Sequence, residues 1–233
     1  GAFAIDDVFN PSPTGVVELQ LSGPAAALGE IADARPLNVL ASRGLAPDDL
    51  SGSASAAISL RLPLDLEEDE IGGAMVWKVT VTGKRLASAQ PIEGRTFKDA
   101  DVTITVVPDN FAVTGKATID GVEADVSISQ PLGQQGESSG RGQQLARLSL
   151  DKAARDRLGL GLDDIIDGTV GTQISSLADS DGQHYDLDLG PARLTIPGLG
   201  WTKGIGVPAT LSFDLIPIER GQRVENIVLE GDG

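Results

Sequence analysis

Few residues of this 233-residue chain have side chains that could carry out chemistry. His184 is the only histidine and cysteine is absent, so no common transition-metal site can be assembled around it. A general base would also need a nucleophile and an orienting acid within reach. We therefore interpret His184 as a polar residue near the start of a strand. The sequence predicts no catalytic residue, no cofactor and no bound metal.

Two groups of aspartates match known carboxylate sites only in part. Asp179 and Asp181 have the alternate spacing of a calcium loop, but Gln183 stands at the third ligand position and the closing glutamate is missing. An Asp-Gly turn explains this segment better. The aspartates of residues 163–167 lack the sugar-binding aromatic residues of a glycosidase. They suit the start of a short helix, where acidic side chains complement the helix dipole.

Trp201 and Lys203 are the strongest candidates for a surface contact. They lie among glycines and prolines in residues 197–206, a segment that predicts a loop. A tryptophan there could plug the end of an open β structure, or it could contact a partner or lipid headgroups. Large aromatic side chains bury much apolar area, which favours a structural role for Trp201 as a plug. A contact with a partner or with lipid headgroups stays open as the alternative.

The composition excludes several classes of function. A net charge of -16 and a pI near 4.3 disfavour nucleic acid and electrostatic docking to an anionic membrane. Aromatic residues make up 3% of the chain, which argues against stacking platforms for bases or sugars. The chain has no run of eighteen apolar residues, so it predicts no transmembrane span. The lack of cysteine leaves the compartment open.

The domain organisation follows from one low-complexity segment. Residues 134–144 are rich in Gly, Gln and Ser, and predict a flexible loop between sub-units 1–133 and 145–233. Met75 is the only methionine, and the last residues form an amphipathic strand and a turn. We therefore expect the chain to be a fragment of a larger protein.

Alternating apolar and polar residues predict strands along most of the sequence. We expect strands over 54–66 and 75–81, a meander over 97–128 with an Asp-Gly hairpin turn, and two strands within 185–215. The alternation slips at Gly190-Pro191, which predicts a bulge. Pro63 predicts an edge strand or a bulge, because proline cannot donate to the ladder.

One helix is predicted at Lys152–Leu158, with Ser149 or Asp151 as its cap and Gly159 at its end. A further short helical turn is expected at 162–166, whereas 25–28 is too short to predict a helix. The fold class is therefore all-β: one or more curved antiparallel sheets forming a β-groove or an open half-barrel or sandwich, with one short helix.

The apolar face of these strands has two interpretations that the alternation cannot separate. It could be the inner face of a closed sandwich or barrel, or an open lining for acyl chains. Few aromatic rings and many Val, Ile, Leu and Ala residues favour a smooth lining. On that hypothesis the lipid-facing residues are Val102, Ile104, Val106, Val113, Ile119, Val126, Leu194, Leu211 and Phe213.

A pattern of strands and glycines is shared by four segments that cover more than half of the chain: FKDADVTITVVPDNFAVTGKATIDGVEADVSI, LDKAARDRLGLGLDDIIDGTVGTQIS, YDLDLGPARLTIPGLGWTKGIGVPATLSFDL and RVENIVLEGDG. In this pattern the chain resembles the AsmA-like proteins of Gram-negative envelopes, in particular the YhdP and TamB type. Their motifs are degenerate β patterns and carry no catalytic residues.

The resemblance implies a non-enzymatic periplasmic segment, tethered to the inner membrane by an anchor outside this sequence. AsmA-like proteins are similar to bridge-like lipid transporters. The implied partners are therefore phospholipid or another lipid and neighbouring repeats of the same chain, and nucleic acid is not among them. The implied function is to shield or conduct phospholipid acyl chains between the inner and outer membranes. The alternative is a structural or interaction module of the envelope with a closed apolar core.

Overall fold

A computed structural model describes residues 1–6, 13–34, 40–41, 44–65, 75–92, 94–132, 141–196, 198 and 200–231. Strands account for 66% of the structure, and the large sheet does not close into a barrel. The predicted all-β antiparallel fold is thus confirmed. Within these residues no helix is long and apolar enough to cross a bilayer.

Twelve strands form the large sheet, because alternating Val, Ile, Leu and Thr residues suit a pleated, half-buried surface. The strands follow one another across the sheet in this order: β1 (Ala2–Asp6), β2 (Thr14–Pro24), β3 (Leu50–Pro63), β4 (Val76–Ser88), β5 (Phe97–Val107), β6 (Asn110–Ile119), β7 (Val122–Pro131), β8 (Gln143–Leu150), β10 (Val170–Ser176), β11 (Gln183–Asp188), β14 (Ala209–Ile218) and β15 (Gly221–Gly231).

Three short strands form a second sheet. They are β9 (Ile166–Gly168), β12 (Ala192–Ile196) and β13 (Trp201–Lys203), with β12 in the middle. The sequence predicted one strand through Gly190-Pro191 with a bulge, and this was wrong. Those two residues form a turn in which Ala192 N donates to Leu189 O, and the chain leaves the large sheet there to enter the small one. Residues 201–203, which were predicted to be loop, pair with β12.

The predicted helix is confirmed as α2 (Lys152–Arg157). The Asp151 side chain accepts a hydrogen bond from Ala154 N at 2.7 Å, and Gly159 follows the helix with a φ of 67°. Leu162 O accepts hydrogen bonds from Ile165 N and Ile166 N, but this turn leads directly into β9 rather than forming a helix.

A longer helix, α1 (Ala25–Asp33), was missed. It has no side-chain cap, so no start signal marks it in the sequence. A Cβ atom at Gly29 would lie 3.0 Å from Leu40 Cδ1 and 3.3 Å from Leu50 Cδ1. Close packing of the backbone on its neighbours therefore stabilises this helix, and a glycine makes that approach possible.

Two turn predictions had different outcomes. Asp120 and Gly121 both have positive φ, 49° and 80°, and join β6 to β7 as the Asp-Gly signal predicted. Pro63 was predicted to mark an edge strand or a bulge, but β3 lies between β2 and β4. Pro63 is the last residue of β3, where its missing N–H interrupts no interior part of the ladder.

The chain divides into two compact units that bury their apolar residues differently. Unit 1 comprises Gly1–Gly115 and Ser129–Arg141, and unit 2 comprises Lys116–Ile128 and Gly142–Gly233. The division predicted at 134–144 stays a prediction, because 133–140 lie outside the described residues. Unit 2 has a core of eight buried side chains: Val122, Leu150, Ala154, Val170, Leu189, Ala192, Leu194 and Ala209. In the described part of unit 1 the buried apolar side chains are alanines: Ala25, Ala56 and Ala100.

Candidate functional site

The register of β1 to β5 places apolar side chains side by side on one face of unit 1. We call this surface the apolar face, and it consists of three cross-strand rows. The first row is Phe3, Val17, Leu60 and Trp77; the second is Leu19, Ile58, Val79 and Val106; the third is Leu21, Ala56, Val81 and Ile104. Val102 follows on the same face of β5, opposite Gly83.

The opposite face of the same strands is polar. Its rows are Glu18, Ser59 and Lys78; Gln20, Ala57, Thr80 and Thr105; and Ser22, Ser55, Thr82 and Thr103. Because side chains alternate between the faces of a strand, one apolar row and one polar row follow each other along the ladder. This part of the sheet is therefore amphipathic across its thickness.

The described residues of unit 1 do not bury the apolar face. Phe3 and Leu19 are 65% and 40% exposed, and Ala56 is the one buried member of the three rows. The remaining members are half-buried. Neighbouring strands lie about 4.8 Å apart, so a row of four spans roughly 14 Å. Contiguous exposed apolar surface is typical of sites that bind a ligand, a partner or a membrane, so this face is the candidate site of unit 1.

Sequence reasoning recognised only part of this face. Val102, Ile104 and Val106 were predicted to face lipid, and the register places them on the same face as ten side chains of β1 to β4. The alternation that marks those strands was visible in the sequence. What it could not supply was the register, which decides which strands are neighbours and which rows align.

The other predicted lipid-facing residues lie elsewhere. Val113, Ile119 and Val126 are half-buried on β6 and β7. In unit 2, Leu211 packs against the core, and the Phe213 ring stacks on Tyr185 with centroids 5.0 Å apart. Leu194 needs correction: it is 7% exposed within the core of unit 2, so its side chain is not available to a ligand.

Trp201 and Lys203 were predicted together, but their surroundings differ. The Trp201 side chain is 41% exposed, which makes it available to a partner. Lys203 is 5% exposed, and its ammonium donates to Leu189 O at 2.8 Å, Ala192 O at 2.8 Å and Gly204 O at 3.1 Å. Lys203 is therefore a structural residue that fixes β13, and a surface contact through it is excluded by its burial.

Arg155 of α2 plays a similar part in unit 2. It is 2% exposed, and its guanidinium donates to Leu150 O at 3.0 Å, Gly168 O at 2.7 Å and Ile166 O at 3.0 Å. These bonds tie α2 to β8 and to β9. Like the Lys203 ammonium, the buried Arg155 guanidinium is stabilised by hydrogen bonds to main-chain carbonyl oxygens.

His184 has the acidic partners that sequence reasoning did not find. Its Nδ1 lies 2.6 Å from Asp214 Oδ1, and its Nε2 lies 3.2 Å from Asp186 Oδ1. Asn226 Nδ2 donates to the other Asp214 oxygen at 2.6 Å. Asn226 has a φ of 52°, and the pairing of β14 with β15 shifts register beside it. This bulge turns the Asn226 amide towards Asp214.

The electrostatics of this cluster are those of an ion pair. The hydrogen bond with Asp214 raises the pKa of His184, and the negative charge of Asp186 adds to this effect. Hydrogen bonds from Asn226 and then from His184 lower the pKa of Asp214. Both ring nitrogens contact carboxylates, so neither is placed to take a proton from a hydroxyl nucleophile. The arrangement suits cross-strand stabilisation.

The two aspartate groups have structural surroundings. Asp179 and Asp181 lie in the turn between β10 and β11, where Leu177 N donates to Gly182 O. Asp163 forms an ion pair with Lys152 of α2. No group of three potential His, Cys, Asp or Glu ligands is close enough to hold a metal in the part of the chain that the structure describes.

Comparison with protein families, with curated proteins and with solved structures found no match for this chain. The resemblance to AsmA-like proteins therefore stays a prediction.

Proposed function

We propose that this chain is a non-enzymatic segment of an AsmA-like envelope protein that shields or conducts phospholipid acyl chains in the periplasm. The observation that supports this most is the apolar face of unit 1. Its rows of mostly Val, Ile and Leu side chains are backed by a polar face, and the described residues leave all of them but Ala56 half-buried or exposed. The periplasmic location, the tether to the inner membrane and the neighbouring repeats rest on the resemblance.

The chemistry of the face suits hydrocarbon chains. The side chains from five strands are mostly aliphatic, and the Trp77 indole N–H is the one hydrogen-bonding group in the three rows. Each buried methylene of a ligand contributes about 0.8 kcal/mol. A lipid tail of a dozen methylenes could therefore bind without any polar contact. The net charge of -16 leaves the acyl chain, rather than an anionic headgroup, as the part of the lipid that the protein would hold.

The test is lipid retention by matched variants on the two faces of β5. Ile104→Asp places a carboxylate in the third row of the apolar face, and Thr103→Asp places the same group on the polar face next to it. Gently purified proteins are extracted with organic solvent, and phospholipid per chain is measured by mass spectrometry. We expect stoichiometric lipid with the natural chain and Thr103→Asp, and loss of lipid with folded Ile104→Asp.

Equal lipid in Ile104→Asp and Thr103→Asp would contradict the proposal, as would a natural chain that binds no lipid and no fluorescent fatty acid. Circular dichroism of both variants shows whether the sheet is retained, so that loss of binding is not confused with unfolding.

One observation favours the alternative of a structural module. Unit 2 has a closed core in which the small sheet and α2 pack against the strands of the large sheet. If this unit carries the function, lipid will be absent and the exposed Trp201 will mark a partner surface. Capture of one periplasmic partner by the natural chain and not by Trp201→Ala, with no lipid in the extract, would favour this alternative.

A further inference from the structure

β15 is an edge of the large sheet, and no described strand pairs with its outer side. All but one of its eleven residues are exposed. They include the apolar side chains of Val224, Ile227 and Leu229, which are 48%, 64% and 56% exposed. The unpaired backbone N–H and C=O groups of an exposed edge can bond to another strand, so β15 is a candidate surface for strand addition.

The register shows which residues of β15 direct their backbone groups outwards. Leu189 N donates to Ala209 O, so the backbone groups of Ala209 face β11 and those of the next residue, Thr210, face β15. Glu230 lies opposite Thr210 and therefore bonds to β14. Its neighbour Leu229 directs its N–H and C=O groups outwards, because successive residues of a strand alternate in this direction.

The same alternation holds on the other side of the bulge in β15. Asp214 faces β15 and lies opposite Glu225, so Glu225 bonds to β14. Its neighbour Val224 therefore directs its backbone groups outwards. The side chains of Val224 and Leu229 share one face of the sheet, which is also the face of Leu211 beside the core of unit 2. Both outward positions thus combine free backbone groups with an exposed apolar side chain.

One antiparallel register of two β15 strands matches the outward residues and the charges at once. In this register Val224 lies opposite Leu229 of a second copy, and the twofold symmetry repeats the pair. Arg223 lies opposite Glu230 of the second copy on the other face, and this pair is also repeated. The bulge at Asn226 falls on the twofold axis, so the bulges of the two strands face each other and the register continues past them.

The charges of β15 favour a second copy as the occupant of this edge. β15 has one arginine and two glutamates, and the register brings the arginine of each copy to a glutamate of the other. Within one chain Arg223 Nε lies 2.8 Å from Glu225 Oε1, so the guanidinium is held on the face that Glu230 of the second copy reaches. Opposite charges across neighbouring strands stabilise their pairing. The edge is therefore complementary to itself.

We propose that two copies of this chain associate through β15, so that their large sheets join edge to edge by antiparallel pairing. A single edge strand makes a small interface, and the net charge of -16 opposes the approach of two copies. We therefore expect a dimer that forms at micromolar or higher concentrations. The inference does not rest on the proposed function, because neither lipid nor a neighbouring repeat takes part in the pairing.

Sedimentation equilibrium of the full chain at physiological salt tests the pairing. With rising concentration we expect the mass to increase from 24.0 kDa to twice that value and no further. Glu230→Arg places an arginine opposite Arg223 of the second copy at both symmetry-related positions, and should raise the dissociation constant roughly tenfold. The control Glu123→Arg makes the same change of charge at an exposed position of β7, inside the sheet, and should dimerise at least as well as the natural chain.

A mixture of two variants tests the register itself. Arg223→Glu should also weaken the dimer, because it places two glutamates opposite each other. Mixing it with Glu230→Arg restores opposite charges at both pairs, so the mixed dimer should form about as readily as the natural one. Circular dichroism checks that each variant keeps its sheet. The proposal is overturned by a natural chain that stays monomeric, by equal dimerisation of Glu230→Arg and Glu123→Arg, by a mixture that does not recover, or by assemblies larger than a dimer, which would indicate pairing of β15 with β1.

Discussion

At the level of single residues, two buried cations of unit 2, Lys203 and Arg155, are held by main-chain carbonyl oxygens. Lys203 and Arg155 each donate three hydrogen bonds to main-chain carbonyl oxygens of unit 2. A buried charge is costly unless it is hydrogen-bonded, and here main-chain carbonyl oxygens accept from the Lys203 ammonium and from both Nη atoms of Arg155, whereas the buried Arg155 Nε has no partner among the described residues. Each cation therefore joins segments that are distant in sequence, including the two short strands β9 and β13.

Lys203→Met tests this role. The substitution keeps most of the volume but leaves three carbonyl oxygens without a donor, and each unsatisfied buried group costs about 1–3 kcal/mol. We expect the free energy of unfolding to fall by at least about 1 kcal/mol in urea titrations. The control Lys116→Met changes a lysine whose side chain is 79% exposed and should change stability by less than about 0.5 kcal/mol. Equal stability of the two variants would contradict the role of Lys203.

None of these partners could be predicted from the sequence. Lysine and arginine are usually solvent-exposed, so the pattern favoured a surface Lys203 beside Trp201. The burial arises because β13 folds back onto the turn at Gly190-Pro191, a contact between residues 11 to 14 positions apart. The partner of His184 could not be predicted either, because Asp214 lies 30 residues away and no local signal connects the two residues.

At the scale of elements, local alternation predicted most strands and failed where the chain changes sheets. Residues 185–196 alternate between apolar and polar on both sides of Gly190-Pro191, yet β11 and β12 belong to different sheets. The slip at Gly190-Pro191 marked this change, but a bulge and a turn break the alternation in the same way. α1 was missed because packing at Gly29, rather than a cap, stabilises it.

The His184 cluster links β11, β14 and β15, and its stability should depend on pH. The pKa of His184 is raised above 6.5, so its contribution is complete below that pH and is lost as pH rises through the folded-state value. The pKa of Asp214 is lowered below 3.8, so its contribution is present above that pH and is lost in stronger acid. The cluster therefore stabilises these strands most between about pH 4 and 6.5.

His184→Gln isolates this effect. The urea midpoint of the natural chain should fall between pH 5.5 and 8.5, and the variant should show a smaller fall because it has no proton to lose at that position. Asp186→Asn, which removes the weaker partner, should keep most of the dependence. An identical pH profile in the natural chain and His184→Gln would rule out the cluster as its source.

At the scale of the whole molecule, the two units differ in what they bury. Unit 2 closes a core of eight side chains, whereas unit 1 presents an apolar face whose described members are mostly half-buried or exposed. The sequence predicted an amphipathic β protein but could not separate a lining from a core, because both need the same alternation. Tertiary packing decides whether an apolar face becomes a core or stays an open lining, and this packing differs between unit 1 and unit 2.

The most direct measurement for the proposed function is photo-crosslinking with a phospholipid that carries a diazirine in its acyl chain. Labelled residues are identified by mass spectrometry of peptides from β3, β4 and β5. Binding to the apolar face predicts labels at alternate positions, such as Ile58, Val79 and Ile104, and none at Thr80 or Thr103 between them. Labels spread equally over both faces, or no label in unit 1, would contradict the account.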